Sequence, residues 1–141
     1  MTDKAAVEQK LTSANIKITE ARFQVLMLLH INQGHYSAEE IHSKLINANH
    51  NIGLATIYRT LVQLEAVGLI LRHSFIDGVA IYELNDGDHG HAVCMGCGII
   101  LEFNDHIIKE RQQIIATELG LNSIRASYTI YGRCKKCQNP L

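Results

Sequence analysis

Two C-x2-C pairs, Cys94/Cys97 and Cys134/Cys137, stand 36 residues apart, and no other feature of the sequence restricts the fold as much. Each pair can grip one side of a tetrahedral ion from a tight turn, so the segment between them must bring the second pair back to the first. Gly96 and Gly98 supply the backbone freedom that the first turn wants. Four thiolates around Zn²⁺ leave two net negative charges, which Arg133, Lys135 and Lys136 are placed to offset. A shell closed by four thiolates has no open position for a substrate, so the expected zinc is structural, with an apparent binding free energy of about 10–16 kcal/mol coupled to folding.

The metal reading depends on compartment. The N-terminus MTDKAAVEQK lacks the apolar stretch of a secretory signal, and no run of eighteen apolar residues is long enough for a membrane span. The expectation is a cytoplasmic chain with no membrane partner, where thiols stay reduced and serve as ligands more readily than as disulfides.

The first cysteine pair lies within HGHAVCMGCGIILEF, residues 89–103. His89 and His91 alternate along an extended segment and so share a face, whereas Cys94 has the opposite parity. That arrangement implies a second metal, distinct from the zinc. Imidazoles with carboxylates suit divalent iron, manganese, cobalt or zinc. Glu83 and Glu102 are the nearest carboxylates with suitable placement, and His35 is set apart by its position in GHYSAEE, just ahead of a helix. His30, His42, His50, His73 and His106 are given no role.

The first half reads as helices: residues 4–14, then TEARFQVLMLLHI capped by Thr19, with Phe23, Leu26, Met27 and Ile31 as its apolar positions. SAEEIHSKL opens with the capping-box pattern Ser37 to Glu40 and sets Ile41 and Leu45 one turn apart. After the five-residue NHNIG comes LATIYRTLVQLEAVG, closed by Gly68. LILRHSFI and VAIYEL flank Asp77-Gly78 and read as a hairpin.

Two helices joined by a short turn and followed by a hairpin form the winged helix-turn-helix. In the second helix Leu54, Ile57, Leu61 and Leu64 share one face, leaving Thr56, Arg59 and Gln63 opposite and Tyr58 on the flank. Ala55, Thr56, Tyr58 and Arg59 suit base and phosphate contacts; Lys17, Arg22 and Arg72 are further candidates for phosphate or a minor groove. The net charge of −1, with seven Lys/Arg against eight Asp/Glu up to residue 85 and six against six beyond it, excludes binding by bulk attraction and makes any nucleic-acid surface local.

NDGDHG, residues 85–90, is the only stretch with linker composition. The expected organisation is α+β: a winged-helix DNA-binding domain at 1–84, a linker at 85–90, and a small α/β domain for dimerisation and metal binding at 91–141. The second domain is expected to hold a strand at GIILEF, a helix from about Asp105 closed by Gly120, and a strand through IRASYTIY.

Across nearly its whole length the chain resembles the ferric uptake regulator family of metal-dependent bacterial repressors. GLATIYRTL is similar to that family's recognition helix, HGHAVCMGCGIILEF to its H-x-H-x2-C-x2-C-G block with the following glutamate, and the second C-x2-C to the other half of its structural zinc site. The resemblance implies a homodimer, possibly pairing into a tetramer, that binds double-stranded operator DNA. It implies a regulatory site on His35, Glu83, His89, His91 and Glu102 that takes Fe²⁺, for which Mn²⁺, Co²⁺ or Zn²⁺ could substitute.

An additional metal site of many members falls on Asp88, Gly90, Lys109 and Ala126 here, which implies its absence unless Asp88 and Glu110 retain something of it. Peroxide-sensing relatives have aspartate where this chain has Glu83 and Glu102, and zinc-uptake relatives use a cysteine at the regulatory site. Both differences favour an iron sensor, and the alternative is a related sensor of another divalent metal, zinc or manganese, or of peroxide. Two rival readings are weaker. A metal hydrolase lacks a clear general base, substrate-pocket signal or nucleophile motif, so the expectation is no enzyme and no small-molecule substrate; a zinc-ribbon adaptor would bind protein and not DNA.

Overall fold

The computed structural model describes residues 2–87, 89–122 and 125–138. The chain divides between Asn85 and Asp86 into two compact units.

Four helices and a hairpin make the first unit. Helix α1, Asp3–Ser13, is capped by Thr2, and α2, Glu20–Ile31, by Thr19, whose Oγ1 accepts from the Arg22 amide at 3.2 Å. Helix α3, Ala38–Asn47, carries a complete capping box: the Glu40 amide donates to Ser37 Oγ at 3.1 Å, and the Ser37 amide to Glu40 Oε1 at 3.0 Å. Helix α4, Leu54–Ala66, ends just before Gly68, whose φ of 77° lies in the left-handed region that reverses a helix end. These ends are set by local chemistry, so the sequence locates them well.

The buried face of α2 is a different matter. Val25, Leu26, Leu28 and Leu29 are buried, Phe23 and Met27 only partly so, and Ile31 is exposed. The expected stripe is corrected because α2 packs against α1, α3, α4 and the hairpin together, and a helix surrounded on several sides has no single apolar face. Its side chains join Val7, Leu11, Ile41, Leu45, Ile57, Leu61, Leu64 and Ile70 in one core. Each fully buried aliphatic side chain there contributes about 1.5–3 kcal/mol.

Strands β1, Ile70–His73, and β2, Ile81–Leu84, pair antiparallel with Leu71 opposite Glu83 and His73 opposite Ile81. Asp77 and Gly78 do occupy the tip, at φ 53° and 68°, but the ladder stops short of them and the loop runs over residues 74–80. A two-residue turn there would set Ile76 opposite Val79 and therefore Arg72 opposite Glu83. The observed register is one residue away, and such a slip exchanges the faces of a strand. A segment before α3 joins this sheet through one antiparallel bridge, Tyr36 to Tyr82, made by amide-to-carbonyl bonds of 3.0 and 2.8 Å.

The second unit has three strands in the order β4-β3-β5. Strand β3, Gly90–Cys94, runs antiparallel to β4, Ile100–Phe103, and parallel to β5, Thr129–Gly132. Gly90, read from the sequence as the end of the linker, is the first residue of β3, and a Cβ there would lie 2.2 Å from the Phe103 ring on the facing strand. Helix α5, His106–Glu118, is capped by Asp105 and followed by Gly120 at φ 74°. The last expected strand is shorter than IRASYTIY suggested, with residues 125–128 outside the ladder and Ile124 outside the described residues. A short helix not foreseen from the sequence, α6, Lys135–Gln138, carries Cys137. No helix among the described residues is long and apolar enough to cross a membrane.

Candidate metal centres and nucleic-acid face

The four cysteines converge in the second unit. Cys94 ends β3, Cys97 lies in the turn that follows, Cys134 precedes α6, and one Sγ from each lies within 4.8 Å of the other three. Cys97 Sγ and Cys134 Sγ are 3.8 Å apart. That matches the edge of about 3.8 Å expected of a tetrahedron built on Zn–S bonds of about 2.3 Å. The thiol chemistry also suits a cation. Backbone N–H groups of Cys134, Cys97 and Gly96 point at Cys94 Sγ from 3.3, 3.5 and 3.3 Å. The first two outweigh burial and draw the Cys94 thiol down to about 5. Cys137, donating to Cys94 and Cys134, is pushed up to about 12. A dication removes that conflict by stabilising all four thiolates at once.

The two glycines of this turn do different work. Gly98, at φ 80°, meets the need for backbone freedom. Gly96 is required for space: a Cβ there would lie 2.7 Å from Cys137 Sγ and 2.8 Å from Cys137 Cβ. Of the nearby cations, Arg133 donates to the Cys137 carbonyl at 3.4 Å.

The histidines and acids form a separate group within each unit. In the second, His91 faces Glu102 across the β3–β4 ladder, and His89 lies two residues earlier on the same side. The His89 and His91 rings are 4.6 Å apart, and His89 Nε2 is 3.6 Å from Glu102 Oε1. Cys94, three residues beyond His91, has the opposite parity, as the sequence implied.

In the first unit Glu83 is the centre. The Tyr36–Tyr82 bridge continued by one residue sets His35 opposite Glu83, and His35 Nε2 is 2.7 Å from Glu83 Oε2. On the other flank the β1–β2 register puts His73 diagonally across from Glu83, with Nε2 2.8 Å from Oε1. Glu83 is 3% exposed, so this carboxylate meets imidazoles and not bulk water. His73 has no role in the sequence analysis; a two-residue turn at Asp77-Gly78 would set it opposite Tyr82, and the observed register is what brings it to the face of Glu83.

On α4, Ile57, Thr60, Leu61 and Leu64 are buried, while Ala55, Tyr58, Arg59 and Gln63 are exposed. Thr60 is buried and satisfies its hydroxyl by donating to the Thr56 carbonyl at 2.8 Å; Leu54 is only half-buried. Arg59 Nη2 donates to Thr56 Oγ1 at 3.1 Å, which holds the guanidinium along the outer face of the helix. The Tyr58 hydroxyl donates to the Glu39 carboxylate on α3, raising the phenol and lowering the acid. Arg22 donates to Gln63 Oε1 at 3.1 Å and to the Lys17 carbonyl at 2.7 Å, so it braces α2 against α4. Lys17 and Arg72 are exposed.

Residues 13–131 match the model of the ferric uptake regulator family. The ferric uptake regulation protein of Legionella pneumophila is 42% identical over 132 residues, spanning 92% of this chain and 97% of that protein. The solved structure of the ferric uptake regulator from Pseudomonas aeruginosa with manganese matches with a TM-score of 0.84 at 39% identity, over 92% of this chain and 98% of that one. The Vibrio cholerae ferric uptake regulator, described for a rearrangement of its DNA-binding domains, matches with a TM-score of 0.72 at 39% identity, over 90% and 98%. With a winged helix in its first unit, a four-cysteine cluster in its second and these matches along its length, the chain belongs to the ferric uptake regulator family.

Proposed function

We propose that this chain is an Fe²⁺-dependent repressor that binds operator DNA as a homodimer and controls genes of iron uptake. The observation that carries the reading is the pairing of imidazole with carboxylate in each unit: His35 Nε2 with Glu83 Oε2 at 2.7 Å, and His89 Nε2 with Glu102 Oε1 at 3.6 Å. In this reading His35 and Glu83 from the first unit and His89, His91 and Glu102 from the second enter one coordination shell. Bound there, a divalent ion supplies two positive charges and a fixed coordination geometry.

The chain's own residues turn that shell into a switch. Glu83, His91 and Glu102 sit on hydrogen-bonded strands and His35 next to a bridged residue, so gathering them fixes the angle between the units. In a dimer that angle sets the separation of the two α4 helices, which must match half-sites about 34 Å or a multiple apart. Ala55, Thr56, Tyr58 and Arg59 then address bases and phosphates from the major groove, with Lys17, Arg22 and the wing's Arg72 on the backbone or minor groove. Coupling is reciprocal, so operator DNA tightens metal binding by the factor with which metal tightens DNA binding. Cys94, Cys97, Cys134 and Cys137 hold zinc as a structural ion.

Dimerisation through the second unit is supported by its open apolar surface. Its described buried hydrophobic residues are Val93, Cys94 and Ala116, whereas Leu101, Ile107, Ile115, Leu119, Leu121 and Ile130 are exposed, Leu119 by 69%. A unit this small with so little core needs both the zinc and a second copy.

The test is anaerobic anisotropy of a labelled duplex from an iron-acquisition promoter, with and without Fe²⁺. Wild type should bind only with metal, and His35→Ala and His91→Ala should each lose that response while keeping wild-type far-UV circular dichroism. Metal-independent binding by either variant refutes the mechanism. Repeating the titration with Mn²⁺, Co²⁺ and Zn²⁺ ranks the ions.

A further inference from the structure

We infer that His73 is a positioning residue for the regulatory metal: it holds Glu83 so that one carboxylate oxygen alone is presented to the ion. The inference rests on the ligand set proposed above and adds a residue outside it.

Glu83 has two oxygens with different neighbours. Oε2 lies 2.7 Å from His35 Nε2, and Oε1 lies 2.8 Å from His73 Nε2. A metal-ligating carboxylate has no proton to give, so the tautomer that fits this contact is the one in which His73 Nε2 donates to Oε1. The His73 ring is fixed in turn. It stacks on Phe75 with centroids 4.8 Å apart and planes 12° from parallel, and the strand register holds its backbone opposite Ile81. Its side chain is 10% exposed and that of Glu83 4%, so water competes little for Oε1.

Two consequences follow. Glu83 cannot rotate about its terminal torsion without breaking a buried hydrogen bond, so Oε2 stays beside His35 before any ion arrives. Hydrogen bonds that orient a ligand in this way are worth about 10–100-fold in metal affinity. With Oε1 engaged by His73, Glu83 also favours a single bond to the ion through Oε2. That suits small transition ions that take imidazole nitrogen, and disfavours Ca²⁺, whose larger shell accepts carboxylates through both oxygens.

The test uses full-length protein with zinc in the four-cysteine site, titrated with Co²⁺ and followed by visible absorption. His73→Phe keeps an aromatic ring against Phe75 but has no donor; His73→Gln places an amide N–H where Nε2 was. The Phe variant should bind Co²⁺ about 10–100-fold more weakly, with a weakened d–d band as Glu83 turns to chelate through both oxygens. The Gln variant should stay within about threefold of wild type, as expected if the donor is what matters. A Phe variant within twofold of wild type, or a Gln variant as weak as Phe, overturns the inference.

Should His73→Phe fail to fold, histidine-labelled wild-type protein decides by nuclear magnetic resonance. The His73 Nε2 proton should persist when Zn²⁺ fills the regulatory site, and its replacement by a metal bond would make His73 a ligand and overturn the positioning role. Glu83→Ala separates this inference from its parent. Loss of Co²⁺ in Glu83→Ala without loss in His73→Phe removes the role of His73 alone, whereas no loss in Glu83→Ala removes the ligand set and this inference with it.

Discussion

Replacing Gly96 by alanine isolates the geometry of the four-cysteine site, because the backbone there is not in the left-handed region and the added methyl costs nothing in conformation. What it meets is Cys137: Sγ at 2.7 Å and Cβ at 2.8 Å. Ordinary carbon contacts begin near 3.5 Å, so Cys137 must retreat by about 0.7 Å or more. Zinc sites tolerate about 0.2 Å in ligand distance, so the variant loses one thiolate from the shell. If the apparent binding free energy of about 10–16 kcal/mol is shared evenly over four ligands, each carries about 2.5–4 kcal/mol. Zinc affinity of Gly96→Ala should therefore fall by about two to three orders of magnitude, since each 1.4 kcal/mol is tenfold. Competition with a chromophoric chelator reads this directly. An affinity within threefold of wild type would show that Cys137 is not held where the turn places it, and the four-thiolate reading would fail.

Three further outcomes follow from named contacts. Arg59→Ala should weaken operator binding by about 1–3 kcal/mol and leave the metal affinity of the free protein unchanged, measured by anisotropy and metal titration side by side. Ser37→Ala removes the α3 capping box and should lower stability in urea by about 1 kcal/mol; because His35 lies two residues away, a fall in metal affinity larger than the fall in stability would show that the cap also anchors that proposed ligand. Leu61→Ala in the core of the first unit should cost about 2–5 kcal/mol in the same assay, with zinc content unchanged.

What the sequence disclosed was governed by distance along the chain. The caps Thr19 and Ser37, the start of α5 beside Asp105 and the terminating Gly68 and Gly120 depend on residues within a few positions, and the sequence locates each to within a residue. The cysteine spacing was equally legible, since two pairs of thiols, each three residues apart, can meet around an ion in few ways. What failed depended on distant partners. The burial of Val25, Leu28 and Leu29 comes from elements on several sides of α2, and the parallel pairing of β3 with β5, on which the sequence analysis is silent, joins strands separated by a whole helix. His73 depends on register: Asp77 and Gly78 mark the tip, but the pairing lies one residue from that of a two-residue turn, and this sets His73 on the face of Glu83.

The central claim is that one ion gathers ligands from both units. Anomalous diffraction at the manganese edge, on crystals of the zinc-loaded protein grown with Mn²⁺, tests it most directly. The account predicts one manganese peak about 2.0–2.3 Å from atoms of His35 and Glu83 and of His89, His91 and Glu102. A manganese ion whose shell is complete within one unit, with the other unit's histidines turned away, would contradict it.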